Sequence, residues 1–176
     1  GPHEFNERNR GNPFKTLVSC VLSLRTKDEV TNRASARLYK AVSGPEDLAR
    51  MDQRDLERVI YPVGFYRTKA KRLVEIGKTI VEKYGGRVPD TIDELLKLKG
   101  VGRKTANLVV SLGYGKDGIC VDTHVHRISN RIGYVRTKSP DKTEAALRRK
   151  LPRRHWVRCW AAGCSGGSGA CRLLLP

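Results

Sequence analysis

The chain has 176 residues, enough to bury a hydrophobic core without help from disulfide bonds or a structural metal. Its 35 lysines and arginines outnumber 18 aspartates and glutamates, and the net charge of +17 predicts a polyanionic partner, usually nucleic acid, over a role in solubility alone. No apolar run approaches the roughly 20 residues of a spanning helix, and no basic amphipathic segment is long enough for an anchor, so a membrane partner is not expected.

Residues 1–5 read Gly-Pro-His-Glu-Phe, which is typical of a cloning remnant, so the domain prediction excludes them. We recognise no secretory leader, and this predicts a protein of the cytoplasm or nucleoid, or of the nucleus in a eukaryote. In these compartments cysteines are more often thiols or metal ligands than disulfides.

Apolar residues recur at helical spacing along the chain, and no useful stretch alternates with a period of two, which predicts an all-α protein. Capping signals divide the first part: Thr26 with Glu29 and Thr91 with Glu94 form capping boxes, and Asp52 can begin a helix. The helices predicted there are 12–24, one from Thr26 through residue 38, a short one after Gly44-Pro45, one from Asp52 to before Pro62, 69–84 and 92–96.

A Gly-Val-Gly hairpin at 100–102 separates helix 92–96 from the next helix and so predicts a helix-hairpin-helix motif. Glycines permit positive backbone angles and close approach, and the unbonded N–H groups at a helix start favour an anion. The hairpin is therefore predicted to bind a phosphate of nucleic acid. Beyond it, residues 122–123 can begin a helix that reaches about residue 132, and Ser139-Pro140 can begin another.

Two ionisable residues near the hairpin can carry chemistry. Lys104 lies one residue into its helix, where the helix N-terminus, Arg103 and partial burial are expected to lower the pKa of the amine toward about 7 to 8. Such an amine can attack a sugar carbon and form a Schiff base, whereas a simple phosphate contact is the alternative. Asp122 can cap its helix, stabilise positive charge on a sugar ring or assist deprotonation, and these roles can coexist.

Residues on two predicted links suit the handling of bases in a duplex. Phe65, beside several basic residues, can insert into a base stack as a wedge, although packing in the core is an equal alternative. Arg25, on the polar link 23–26, can fill the gap left by an extruded nucleotide. His124 and His126 are two positions apart and diverge on a helix, which argues against a zinc site.

These motifs together resemble the endonuclease III family of helix-hairpin-helix DNA glycosylases over about residues 12–156. The segments that carry the resemblance are 22–28, 61–65, 98–106 and 121–131. The resemblance implies a bifunctional enzyme of base excision repair that removes an oxidised pyrimidine and then cleaves the strand by β-elimination. It identifies Lys104 as the nucleophile at C1′ and Asp122 as the catalytic acid. Base flipping must come first, because C1′ is blocked within the duplex.

The same resemblance implies two helical domains that flank a DNA-binding cleft: a six-helix barrel over 6–116, and a second domain over 117–176 that is atypical from about residue 158. The expected partner is double-stranded DNA with damaged bases or abasic sites, bound by a monomer. A mismatch-directed thymine or uracil glycosylase and a non-catalytic DNA-binding module remain the alternatives. The predicted DNA contacts are Ser23, Arg25, Phe65, Lys99, Gly100, Val101, Gly102, Arg103, Thr105 and His124.

Three departures from the family pattern are present. We expect the family's N-terminal helix to be absent, because the chain begins almost directly at the barrel. Arg25 stands where many members have Gln, and a Gly/Ser-rich tail from Cys159 replaces an apolar helix. The family's [4Fe-4S] cluster uses a C-x6-C-x2-C-x5-C set, whereas here Cys159, Cys164 and Cys171 are followed by nothing that completes it. Cys171 aligns with the first ligand, so we expect an absent or incomplete cluster, none being required for catalysis. A truncated or frame-altered C-terminus is the hypothesis that explains this.

Overall fold

The computed structural model describes residues 9–156, and within this range it contains helices and no β-strand, as predicted. The helices are α1 (Pro13–Ser23), α2 (Asp28–Ala41), α3 (Pro45–Arg50), α4 (Gln53–Ile60), α5 (Tyr66–Tyr84), α6 (Ile92–Leu96), α7 (Arg103–Leu108), α8 (Thr123–Arg131) and α9 (Pro140–Lys150). A π-helical segment, Val109–Gly113, extends α7, and a short 3₁₀ helix, Arg153–His155, follows α9. The tail from Cys159, with Cys164 and Cys171, lies outside the described residues.

The chain divides into two compact units after Tyr114, two residues before the predicted domain boundary. The core of the first unit is built from the inward faces of α1 to α7. Its long helix α5 packs tightly on α3 at Gly77, where a Cβ would lie 2.9 Å from the backbone nitrogen of Ala49. The largest fully buried side chains of this unit are Leu17, Leu22, Leu38, Leu48, Leu56, Ile60, Leu73, Ile76, Ile80, Leu95 and Leu98.

Most predicted helix starts are confirmed, and several have a side-chain cap that satisfies a backbone N–H. Asn12 accepts from Lys15 at 3.0 Å, Asp52 from Arg54 at 2.9 Å and Thr91 from Glu94 at 3.4 Å. Helix α5 is the exception in length, because it begins at Tyr66 instead of residue 69. The turn before it is shorter than predicted because Phe65 reverses the chain in one residue, with a positive φ of 57°.

The predicted capping box at Thr26 and Glu29 is wrong. Helix α2 begins at Asp28, and its N-cap residue, Lys27, makes no side-chain capping bond. The hydroxyl of Thr26 instead contacts the link between α4 and α5, residues 61–65. There it accepts a hydrogen bond from the backbone N–H of Gly64 at 3.1 Å. A tertiary contact has therefore taken the side chain that the local pattern assigned to a helix cap.

The second unit has its own small core, to which Ile119, Val125, Leu147 and Trp156 contribute. Helix α8 is capped by Asp122 and α9 by Ser139, with proline as the first residue of α9, as predicted. A polar network joins the two helices, since the ring of His126 hydrogen-bonds with the Thr143 hydroxyl at 2.6 Å. Neither this unit nor the rest of residues 9–156 contains a helix long and apolar enough to cross a membrane.

Candidate active site

The hairpin positions Lys104 in the first turn of α7. Gly100 turns the chain with a φ of +85°, and Gly102 is the N-cap of α7. Lys104 is exposed, whereas Thr105 and Ala106 are buried in the core. The partial burial expected for Lys104 is therefore wrong, because the inward side of α7 begins with the next residue. Lys104 therefore lies in the first turn of a helical stretch that continues through Gly113.

The other hairpin residues differ in whether a ligand can reach the side chain or only the backbone. The side chains of Val101 and Thr105 are buried, so these residues can contact DNA through the backbone but not through exposed side chains. Arg103 is half-buried. Lys99 is exposed and lies 3.7 Å from a carboxylate oxygen of Glu75. A Cβ at Gly102 would meet no atom within 4 Å, so the backbone there is open to close approach by a phosphate.

Asp122 lies in the second unit and has the local role that its sequence position predicts. Its Oδ1 accepts a hydrogen bond from the backbone N–H of Val125 at 2.8 Å, and its side chain is half-buried. This bond holds the carboxylate at the start of α8, beside the backbone N–H groups of the first helical turn. His124 is exposed in the same turn. His126 is engaged with Thr143 and Asn130 and is a structural residue.

The structure brings Arg25 and Phe65 together, although 40 positions separate them. The Arg25 guanidinium lies 5.9 Å from the centre of the Phe65 ring, and 62% of the surface of Phe65 is exposed. Core packing, the alternative for Phe65, is therefore wrong. Both residues have positive φ, 51° and 57°. We refer to this protruding pair as the Arg25–Phe65 tip. Ser23, in the same link, donates its hydroxyl hydrogen to the Cys20 carbonyl at 2.8 Å.

A buried lysine that the sequence analysis missed lies beneath this tip. Lys69 is 4% exposed, and its ammonium donates to the carbonyl of Leu22 at 2.8 Å, to the hydroxyl of Thr26 at 3.0 Å and to the carbonyl of Leu24. Burial, together with the positive charge of Arg72, lowers the pKa of Lys69 to about 8. The sequence signal was its place on the inward stripe of α5, four residues before Leu73.

At Gly64 the link 61–65 packs against the link 23–26. A Cβ at this position would lie 2.7 Å from the carbonyl oxygen of Arg25 and 3.1 Å from the hydroxyl of Thr26. We expect Gly64→Ala to lower the free energy of unfolding by about 1 to 3 kcal/mol, because the backbone of one link must move. Denaturant unfolding measures this change. Gly102→Ala, whose Cβ has open space, is the control, and equal losses in both variants would contradict the contact.

A basic groove in the second unit was also not predicted. It has a volume of about 970 Å³ and is lined by exposed cations with no carboxylate among the lining residues. Most of the charge comes from the segment between α8 and α9 and from the last turn of α9. Such a surface attracts phosphate groups over several ångströms. The cations are Arg136, Lys138, Lys142, Arg149 and Lys150.

The described residues do not fit the iron-sulfur cluster that the family resemblance implies. Residues 9–156 contain two cysteines, Cys20 and Cys120, and both are buried. Burial raises the pKa of the Cys20 thiol to about 12, although the nearby charge of Lys104 lowers it in part. Cluster ligands are thiolates, so Cys20 is unsuited to this role. No group of three metal-ligating side chains occurs within these residues, and Cys171 lies outside them.

Residues 18–153 match the HhH-GPD superfamily base excision DNA repair protein family. Endonuclease III of Thermotoga maritima is 54% identical over 144 residues, 82% of this chain and 68% of the relative. Endonuclease III of Bacillus subtilis is 44% identical over 156 residues, 88% of this chain and 71% of the relative.

The fold of this chain also resembles those of solved structures. A trapped covalent intermediate of endonuclease III with DNA matches with a TM-score of 0.76 at 40% identity, over 82% of this chain and 68% of that chain. A thermostable thymine-DNA glycosylase has a TM-score of 0.80 at 21% identity, over 94% of this chain and 82% of that chain. The second likeness concerns the fold alone.

Proposed function

Because the chain belongs to the HhH-GPD superfamily of base excision DNA repair proteins, we propose that Lys104 is its nucleophile and Asp122 its catalytic acid. The resemblance to endonuclease III and the enzyme class, a DNA glycosylase with AP lyase activity, are confirmed by relatives at 54% and 44% identity. The non-catalytic module and the mismatch-directed glycosylase are not favoured. The observation that carries the residue assignment is Lys104, an exposed amine in the first helical turn after the glycine hairpin.

In this proposal the uncharged amine of Lys104 attacks C1′ of the damaged nucleotide. The C1′–N bond breaks and the base leaves with the electron pair. The Asp122 carboxylate accepts the proton that the attached nitrogen loses and, as the catalytic acid, passes a proton to the departing base. The Asp122 carboxylate stabilises the positive charge that develops on the sugar. Ring opening gives an imine between Nζ and C1′, loss of a C2′ proton expels the 3′ phosphate, and water then releases the lysine. Amine, carboxylate and water suffice, so these steps require no cofactor.

The remaining predicted contacts have distinct roles in this proposal. The Arg25–Phe65 tip enters the base stack, Phe65 as the wedge and Arg25 in the space that the damaged nucleotide leaves. The hairpin backbone from Gly100 to Gly102 contacts phosphates of the damaged strand, and Lys99 and Arg103 add positive charge beside it in the sequence. His124 adds a polar group in the turn that begins with Asp122. The basic groove of the second unit supports further phosphate contacts, because its charge is that of a polyanion-binding surface.

We propose oxidised pyrimidines as the substrate, and a panel of three duplexes tests this choice. We expect strand cleavage at thymine glycol and at an abasic site, because the proposed enzyme is a bifunctional lyase. We expect no excision from a uracil mismatch, because the proposed substrates are oxidised pyrimidines. Gel analysis of labelled strands before and after alkali separates base removal from cleavage. Excision of the mismatched uracil without strand cleavage would instead favour the mismatch-directed alternative. Binding without any product would favour the non-catalytic alternative.

We further propose that the enzyme acts as a monomer in the cytoplasm or nucleoid, or in the nucleus of a eukaryote. The proposed chemistry supports the monomer, because both proposed catalytic residues belong to one chain. The incomplete iron-sulfur cluster also stays a prediction, since its ligand, Cys171, lies outside the described residues.

A further inference from the structure

We propose that Lys69 is a positioning residue whose buried ammonium joins the link 23–26 to helix α5 and so holds the Arg25–Phe65 tip in the shape that enters DNA. The inference rests on the proposed function, because it assigns a role to the tip during base extrusion. It concerns a residue that need not touch DNA. Lys69 acts through Arg25 and Phe65, which lie on the two links that it connects.

The hydrogen bonds of Lys69 converge on one link. Its ammonium has three N–H donors, and three oxygen atoms of the link and the end of α1 accept them: the carbonyls of Leu22 and Leu24 and the hydroxyl of Thr26. These acceptors lie on both sides of Arg25 in the sequence. Lys69 itself follows Phe65 by four residues, and its backbone N–H donates to the Phe65 carbonyl at 3.0 Å. Lys69 is thus hydrogen-bonded to residues on both sides of Arg25 and to Phe65 itself.

A second connection runs through Thr26 and shares its hydroxyl with the first. The Thr26 hydroxyl accepts from Lys69 and from the backbone N–H of Gly64, and it donates to the Leu24 carbonyl at 3.2 Å. Gly64 reaches this hydroxyl because it has no Cβ, which would lie 2.7 Å from the Arg25 carbonyl. The links are therefore in direct backbone contact, and removal of the ammonium would leave two carbonyl oxygens near α1 without this donor.

Core packing alone does not account for a lysine at this position. A buried ammonium loses its hydration, and its acceptors here are neutral oxygen atoms, so an apolar side chain of similar length would cost less. The ammonium donates directed hydrogen bonds to the link 23–26, in which Arg25 has a left-handed backbone conformation. Non-glycine residues keep this conformation when surrounding contacts impose it. These hydrogen bonds fix the conformation of the tip before DNA binds, which reduces the conformational entropy lost on binding.

This role predicts a dependence on the state of the DNA. Extrusion of a base from a duplex costs unstacking energy, whereas an abasic site in a single strand needs none. A defective tip should therefore slow excision from duplex DNA and spare the covalent reaction of Lys104 with a single-stranded abasic site. A role limited to general stability would reduce both reactions together, because it would lower the fraction of folded enzyme.

The test compares Lys69→Met with Lys71→Met, which removes the same charge from an exposed position of α5. We expect Lys69→Met to reduce excision of thymine glycol from a duplex by about tenfold or more, with borohydride trapping on a single-stranded abasic oligonucleotide retained within about twofold. Lys71→Met should keep both reactions within about twofold of the unmodified protein. Equal losses in the two reactions of Lys69→Met, or no loss in either, would overturn the proposal.

Thr26→Val decides the question if Lys69→Met does not fold. It removes the hydroxyl shared by the two links and keeps the side-chain volume, so it should show the same selective loss, and Thr26→Ser should restore duplex excision. Failure of Thr26→Ser to restore it would contradict the role of the hydroxyl. No adduct between the unmodified protein and abasic DNA would overturn the proposed function and this inference with it, whereas a normal adduct with unselective variants overturns the inference alone.

Discussion

Replacement of Lys104 with alanine should abolish the borohydride-stabilised adduct with abasic DNA and reduce strand cleavage by at least about 10³-fold. The reason is chemical, because the imine needs a primary amine at this position and alanine has none. Lys104 is exposed in the first turn of α7, so its removal should leave the melting temperature nearly unchanged. A purely structural effect is thereby separated from the loss of the nucleophile.

Lys99→Ala is the matched control for this experiment. Lys99 belongs to the same hairpin segment, is equally charged and has a side chain that is 75% exposed. Its loss should weaken binding to the duplex in a salt-dependent way and leave the adduct intact, because a phosphate contact contributes to affinity and not to imine formation. An adduct that persists in Lys104→Ala, or that disappears equally in Lys99→Ala, would refute the assignment of Lys104.

Asp122→Asn should reduce base excision by about 10² to 10⁴-fold while the second unit keeps its stability. Asparagine caps a helix about as well as aspartate does, so the hydrogen bond to the N–H of Val125 can survive the change. Only the negative charge is lost, and with it the stabilisation of the positively charged sugar. Single-turnover excision of thymine glycol, together with thermal unfolding, measures the two effects separately.

Two further variants separate the loss of the charge from the loss of the helix cap. Asp122→Ala removes both the cap and the charge, and it should lose activity together with about 1 kcal/mol of helix stability. Asp52→Asn changes another aspartate that caps a helix, α4, and should change neither activity nor stability appreciably. Full activity in Asp122→Asn would show that the aspartate serves only as a cap.

The helices were predictable because their signals are local. The spacing of apolar residues and the caps at Asp52, Thr91, Asp122 and Ser139 involve residues within one or two turns of each other. Such interactions have the same geometry in most helical proteins. The family could be recognised for a related reason, since its motifs are short continuous segments around Lys104 and Asp122.

Thr26 shows where local reasoning failed. Its spacing from Glu29 fits a capping box, yet its hydroxyl contacts Gly64 and Lys69, which are 38 and 43 positions away. Lys104 shows the converse error, because the sequence analysis expects partial burial and the structure leaves the side chain exposed. In both cases the direction of a side chain depends on which elements surround it, and a sequence pattern does not contain that information.

The sequence by itself therefore determined the all-helical class, the hairpin, the family and the two residues proposed for chemistry. Only the tertiary structure decided that Arg25 and Phe65 form one tip and that Lys69 lies buried beneath it with its ammonium on the link 23–26. The physical reason is the range of the interactions. Helix formation depends on neighbours in the chain, whereas the tip depends on the packing of α5 against α1, which brings distant backbone carbonyls within reach of one ammonium group.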